Sequence, residues 1–199
     1  MVSMLSFVVL AAGEARRMGE LIKPLLPLRG MTFLEVIVLN MIDAGAGECL
    51  VVTGHAHEEI ENSVHLPAAR FLVNGEWKSG QLSSLQTALR ALPPDSEGML
   101  FTPVDHPLVQ LSTYRLLKKR WEEQRERMVI PRYQGRKGHP AIFPRRLFDP
   151  LLRGHLEGGA RDLIYREMDR LHFVDLDDPG VINDIDTPDD YRRLIGELP

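Results

Sequence analysis

The chain has 199 residues, 44% of them hydrophobic, with 24 Lys and Arg against 28 Asp and Glu and a formal net charge of -4. That apolar content fills a core and excludes a disordered tail, and the mild acidity argues against broad attraction to nucleic acid or anionic lipid. A single cysteine, Cys49, excludes an intrachain disulfide and a cysteine zinc cluster, so a small buried side chain is expected there.

The first ten residues lack the basic start and cleavage region of a signal peptide, and no apolar run approaches the roughly 18 residues that suggest a membrane span. The cytoplasm is therefore the expected location, with neither membrane nor nucleic acid as a partner.

In chain order, "LSFVVL" over 5–10 predicts a central strand and residues 49–53 predict another. Between them Phe33, Val36, Ile37, Asn40, Met41 and Ala44 recur at helical spacing behind Thr32, a candidate cap. Strand, crossover helix and strand make a parallel α/β unit the economical reading. "ARFLVN" predicts a short strand, 83–92 a helix stopped by Pro93 and Pro94, and "GMLFTPVD" a strand that ends at an acid.

A helix is expected over 108–121, where Tyr114, Leu117 and Trp121 share the spacing of a core stripe. "RMVIPRY" predicts a strand leading into the glycine-rich turn "QGRKGHP", and "AIFP" a return strand, as a hairpin or an antiparallel addition to the sheet. After a helix over 162–170 come two strand candidates, "LHFVDL" and "GVINDIDTP", and a last helix from Pro188. The expected fold is an α/β, Rossmann-like domain over 1–199, a mostly parallel mixed sheet flanked by helices.

In such sheets ligands meet the loops at the carboxyl ends of strands. The stretch "LAAGEARRMGELIK" stands there. Gly13 can leave backbone N–H groups exposed in a tight turn, and Arg17 and Lys23 can hold phosphate oxygens, unless they belong to a solvated basic loop. Neither GxxxxGK[ST] nor GxGxxG is present.

Asp105 and Asp186 occupy comparable junctions after strands, so one Mg²⁺ shared between them is a candidate metal site, with Asp184 as competitor. The alternative makes them turn or cap residues. In "NGEWKSGQLSSLQTAL", Gly80 permits close backbone approach and Ser83 or Ser84 either caps the helix or receives nucleotide groups, with Ser79 and Gln81 as further hydrogen-bonding candidates. Trp77 is either a stacking platform or an anchor packed beneath the loop. His55 and His57 read as surface or capping residues rather than zinc ligands. His106 adjoins Asp105, and His139 lies in a turn beside a possible pocket.

With these residues in place, the chain resembles the MobA-like nucleotidyltransferases, especially the molybdenum cofactor cytidylyltransferase branch, over nearly its whole length. "LAAGEARRMG", Lys23 and "PLLPLRG" resemble the family's nucleotide-binding loop. The ordered set "NGEWKSGQLSSL", "TPVDHP", "GRKGHPAIFPRRLF", "GGARDL" and "NDIDTPDDY" adds specificity. The resemblance implies that Leu10, Ala11, Ala12 and Gly13 contact the base or sugar of a nucleoside triphosphate, that Arg17 and Lys23 contact its phosphates, and that Asp105 and Asp186 bind Mg²⁺. It places Ser83 and Ser84 where the nucleotide is received, and "GRKGHP", supported by Arg161, on the acceptor side.

Three features depart from the family pattern: Ala15 in place of a serine, one extra residue before Lys23, and no aspartate before the GAR segment. The implied reaction is transfer of a nucleoside monophosphate, with CTP as donor and a molybdopterin-type phosphate as acceptor. ATP or GTP as donor, or a sugar-phosphate or other small phosphate as acceptor, are the alternatives. So is a noncatalytic nucleotide-binding protein that handles the cofactor with a molybdoenzyme or maturation partner.

Overall fold

The computed structural model describes residues 5–153 and 156–198. Its main sheet has eight strands, seven of them in the order β10-β7-β9-β6-β1-β4-β5, with β8 paired to β7. These strands are β1 (Leu5–Ala11), β4 (Cys49–Thr53), β5 (Ala69–Val73), β6 (Gly98–Pro103), β7 (Met128–Tyr133), β8 (Arg136–Lys137), β9 (Ala141–Pro144) and β10 (Leu171–Asp175). Two short strands, β2 (Pro27–Leu28) and β3 (Met31–Thr32), form a separate antiparallel pair. Strands β5, β4, β1 and β6 are mutually parallel, β10 is parallel to β7, and β9 runs antiparallel between β6 and β7. "AIFP" is thus an antiparallel addition, inserted inside the sheet rather than at its rim.

The helices are α1 (Phe33–Asp43), α2 (His57–Ser63), α3 (Gln81–Ala91), α4 (Leu111–Glu123), α5 (Phe148–Arg153), α6 (Ala160–Arg166) and α7 (Pro188–Leu194). Strand side chains alternate between the two faces of a sheet. Phe7 and Val9 accordingly join a core with α1, α4 and α7, while Val8 and Leu10 join another with α3, α5 and α6. Tyr114, Leu117 and Trp121 are fully buried on α4, so the stripe is core. Burial of the Leu117 side chain contributes about 1.5–3 kcal/mol of transfer free energy. Cys49 is also buried and unpaired.

Local signals explain several boundaries. Thr32 caps α1 in a reciprocal box with Glu35, and Thr187 does the same for α7 with Asp190. Helix α3 starts two residues before the expected position, behind Gly80, so neither Ser83 nor Ser84 is its cap. The helix expected over 162–170 ends at Arg166 and yields to a 3-10 turn at Met168–Arg170.

"GVINDIDTP" does not form a strand. A 3-10 turn covers Pro179–Val181 instead, because the Asp178 carboxylate accepts the Gly180 amide at 2.9 Å and draws the chain into a turn. Helices α2 and α5, seven and six residues long, are not among the expected elements; they bury Ile60 and Leu151.

Candidate functional site

The chain passes from β1 to β4 and β5 on one side, then returns to β6 on the other, so the strand order reverses beside β1. That reversal opens a crevice at the carboxyl ends of the parallel strands. The Val104 amide donates to the Leu10 carbonyl at 3.0 Å, and the His55 amide to the Ala12 carbonyl at the same distance. The loops after β1, β4 and β6 are thereby joined at their roots.

The loop after β1 folds as two 3-10 turns, Arg16–Met18 and Lys23–Leu25. The first is entered through Ala15, whose φ is 50°; the second carries Pro24 behind Lys23. Lys23 is 7% exposed. Its Nζ lies 2.7 Å from Asp186 Oδ1 and 3.9 Å from Asp105 Oδ2, while Arg17 Nη2 donates to Asp186 Oδ2 at 2.5 Å. All four residues singled out for phosphate and metal chemistry therefore meet in one cluster.

Electrostatics separate the two acids. Burial pushes the Asp105 carboxyl above its ordinary value, an effect that His106 and Lys23 oppose and Asp186 and Asp184 reinforce. Burial acts in the same direction on Asp186, but the hydrogen bond and charge of Lys23, together with Arg17, outweigh it and hold that carboxyl low. Asp105 Oδ1 and the Nδ1 atoms of His106 and His139 are buried without hydrogen-bond partners. Among the described residues no group of three or more His, Cys, Asp or Glu side chains is arranged to hold a metal.

Leu10, Ala11 and Ala12 are buried, whereas Gly13 is exposed and a Cβ there would meet nothing within 4 Å. The first three can present only backbone to a ligand. Ser83 and Ser84 belong to a network organised by Asn74, whose Nδ2 donates to their hydroxyls at 2.8 and 3.0 Å. Asn74 Oδ1 accepts the Glu76 amide, and the single Ser83 O–H lies within donating reach of either the Glu76 or the Gly80 carbonyl, at 2.9 and 2.8 Å. Sequence reasoning missed Asn74, which reads there only as the end of a strand.

Trp77 packs over Gly54, where a Cβ would stand 2.6 Å from Trp77 Cβ, and His55 meets its ring edge-on. The indole is therefore an anchor beneath the loop, and the paired histidines of "GHAH" serve separate elements.

Beside the acid pair lies a cavity of about 900 Å³. Asp105, His106, Gly80, His139, Arg136 and Arg161 are among its lining residues. The rings of His106 and His139 are 5.0 Å apart, and His139 meets Phe101 edge-on. Enclosure pushes the His139 pKa down to about 3, with His106 and Arg161 adding to the effect, so its imidazole is neutral near pH 7.

Comparison with known proteins places the chain in a family. The chain is 28% identical to nicotine blue oxidoreductase of Paenarthrobacter nicotinovorans, an alignment that covers 94% of this chain and 95% of that one. It is 26% identical to the molybdenum cofactor cytidylyltransferase of Escherichia coli strain K12, over 95% and 94% of the two chains. A crystal structure of Rv0371c from Mycobacterium tuberculosis H37Rv in complex with manganese superposes with a TM-score of 0.77 at 29% identity, covering 98% of this chain and 99% of that one. Residues 7–171 match the model of the MobA-like NTP transferase domain, and the chain belongs to that family of nucleotidyltransferases.

Proposed function

We propose that this nucleotidyltransferase moves a cytidylyl group from CTP to the terminal phosphate of a molybdopterin-type acceptor. A phosphate oxygen of the acceptor forms a bond to the α-phosphorus as the bond from that phosphorus to the bridging oxygen of the β-phosphate breaks, releasing pyrophosphate. The attacking oxygen is already anionic near neutral pH, so positioning and charge neutralisation matter more than a protein base. The observation that carries the reading is the meeting of Lys23 and Arg17 with Asp105 and Asp186 at the point where the strand order reverses.

In this reading Arg17 and Lys23 hold the β- and γ-phosphates, and the backbone of Leu10, Ala11, Ala12 and Gly13 places the base and sugar. Gly80, Ser83 and Ser84 receive the nucleotide from the opposite loop, with Asn74 keeping the serine hydroxyls in register. The residues fit Mg²⁺: Asp105 Oδ1 is buried and unpartnered, Asp186 would offer an oxygen as Lys23 and Arg17 turn from it to phosphate, and this ion keeps water and phosphate in its other positions. Asp105 and Asp186 would hold it, and when bound it supplies neutralisation of charge on phosphoryl oxygens. The manganese in the Rv0371c structure supports a divalent metal.

The test is pyrophosphate release from purified protein with Mg²⁺ and molybdopterin, comparing CTP, ATP and GTP, with the product identified by mass. Release with CTP and a cytidylylated product is expected. Product formed only with a sugar-phosphate would move the acceptor, and nucleotide binding without release across all acceptors would leave a binding protein. The relative named nicotine blue oxidoreductase motivates a further control for redox turnover of nicotine blue.

A further inference from the structure

Between β10 and α7 the chain crosses the carboxyl edge of the sheet without becoming a strand, and it is fastened at both ends. At one end lies Asp178, 4% exposed. Its Oδ2 accepts the Gln110 amide at 3.0 Å and the Thr113 hydroxyl at 2.6 Å, both at the start of α4, while Oδ1 accepts the Gly180 amide at 2.9 Å. At the other end the Ile185 amide donates to the carbonyl of Asp105 at 2.9 Å.

Between these anchors the segment abuts the turn that carries His139. The Val181 carbonyl accepts the His139 amide at 2.8 Å, and a Cβ on Gly138 would overlap that same carbonyl. Gly180 in turn sits against the Leu108 carbonyl with no room for a side chain. Val181, Ile182 and Asp184 face the large cavity, and Asp186 follows directly.

We propose that Asp178 is a positioning residue for nucleotidyl transfer: its carboxylate fixes the 178–186 segment and so sets the gap between the acid pair and the wall formed by Gly138 and His139. The proposal rests on the reading of that wall as the acceptor side. A side chain that only capped a helix would serve one element, as Thr187 does for α7. Asp178 instead joins α4 to a turn whose next residues touch the acceptor wall and Asp105. Losing the bond to the Thr113 hydroxyl or to the Gly180 amide leaves a buried donor unpaired, which gives the carboxylate leverage over the position of the segment.

The variants are Asp178→Asn, which keeps the shape but cannot accept from both sides, and Thr113→Val, which removes one bond and guards against a misfolded first variant. Amide hydrogen exchange tests the clamp without any acceptor. Exchange at His139 and Ile185 is expected to rise about ten-fold in Asp178→Asn and less in Thr113→Val, with the amides of β1 unchanged. With CTP and molybdopterin, KM for the acceptor is expected to rise about ten-fold and kcat to fall by up to about 10²-fold, with a smaller rise in KM for CTP because Asp186 belongs to the same segment.

Unchanged exchange at both amides in the folded variants overturns the proposal, as does an equal rise of KM for CTP and acceptor. If the wild-type protein releases no pyrophosphate with any acceptor, the functional reading fails while the exchange result still decides the clamp.

Discussion

The buried ammonium of Lys23 joins two carboxylates far apart in the chain, standing 2.7 Å from Asp186 Oδ1 and 3.9 Å from Asp105 Oδ2. Its position comes from the 3-10 turn at Lys23–Leu25, which directs the side chain inward, so the extra residue before this lysine does not keep it from the cluster. Replacing Lys23 with Met should lower kcat by about 10²–10³-fold if the ammonium stabilises transition-state charge. Steady-state pyrophosphate release, with circular dichroism to confirm folding, measures this. Retention of full kcat would remove Lys23 from the chemistry.

Asp186 makes stability depend on acid in a defined direction. Its folded carboxyl titrates below the ordinary value of 3.8, so in that window the unfolded chain binds the proton more readily. The stabilisation is complete above the ordinary value and is lost as pH falls through the lowered one. Urea unfolding of wild-type and Asp186→Asn proteins should show a gap that is widest near neutral pH and narrows in acid. A constant gap would mean that the pair with Lys23 does not contribute through charge.

His139 acts in a milder window. Its imidazole titrates near 6.5 in the unfolded chain and at about 3 in the folded one, because enclosure, His106 and Arg161 disfavour its charge. Stability from the neutral ring is therefore present above about pH 6.5 and declines as pH falls from there toward 3. His139→Gln should flatten the stability curve across this interval. The comparison is of unfolding midpoints between pH 7 and 4, and parallel curves for the two proteins would contradict it.

Asn74, directly after β5, ties the loop at Glu76 to the first turns of α3 through the two ends of its amide. Asn74→Ala leaves the buried Ser84 hydroxyl without this partner and should cost about 1–3 kcal/mol. If the loop receives nucleotide, affinity for CTP should weaken while acceptor affinity changes little. Thermal melting and titration calorimetry with CTP report the two effects separately, and an unaltered melting temperature would show that the network carries no stability.

Cys49 provides a control on the core. Burial pushes its thiol well above the ordinary range, so the reactive thiolate is suppressed. Alkylation by iodoacetamide should be slow in native buffer and rapid in denaturant. Rapid native labelling would show that β4 opens locally.

Much of the scaffold was legible in the residues themselves. The runs at β1 and β4, the helical spacing behind Thr32 and the core stripe of α4 are local signals, since burial imposes a period of two on half-buried strands and 3.6 on helices. Helices α2 and α5 are only seven and six residues long, too short for a helical period to stand out. "GVINDIDTP" misled because its apolar residues Val181 and Ile185 join the core from a 3-10 turn and a loop instead of pairing in a sheet.

What the sequence by itself determined was the α/β alternation and the placing of Arg17, Lys23, Asp105 and Asp186 in loops after strands or at a helix start. Only the tertiary structure decided that these four converge, that β9 enters the sheet antiparallel, and that Asp178 links α4 to the segment beside the cavity. Periodicity reports which face of an element is buried, a local property. Convergence depends on crossovers that bring the carboxyl ends of parallel strands to one edge, where residues distant in the chain share one electrostatic environment.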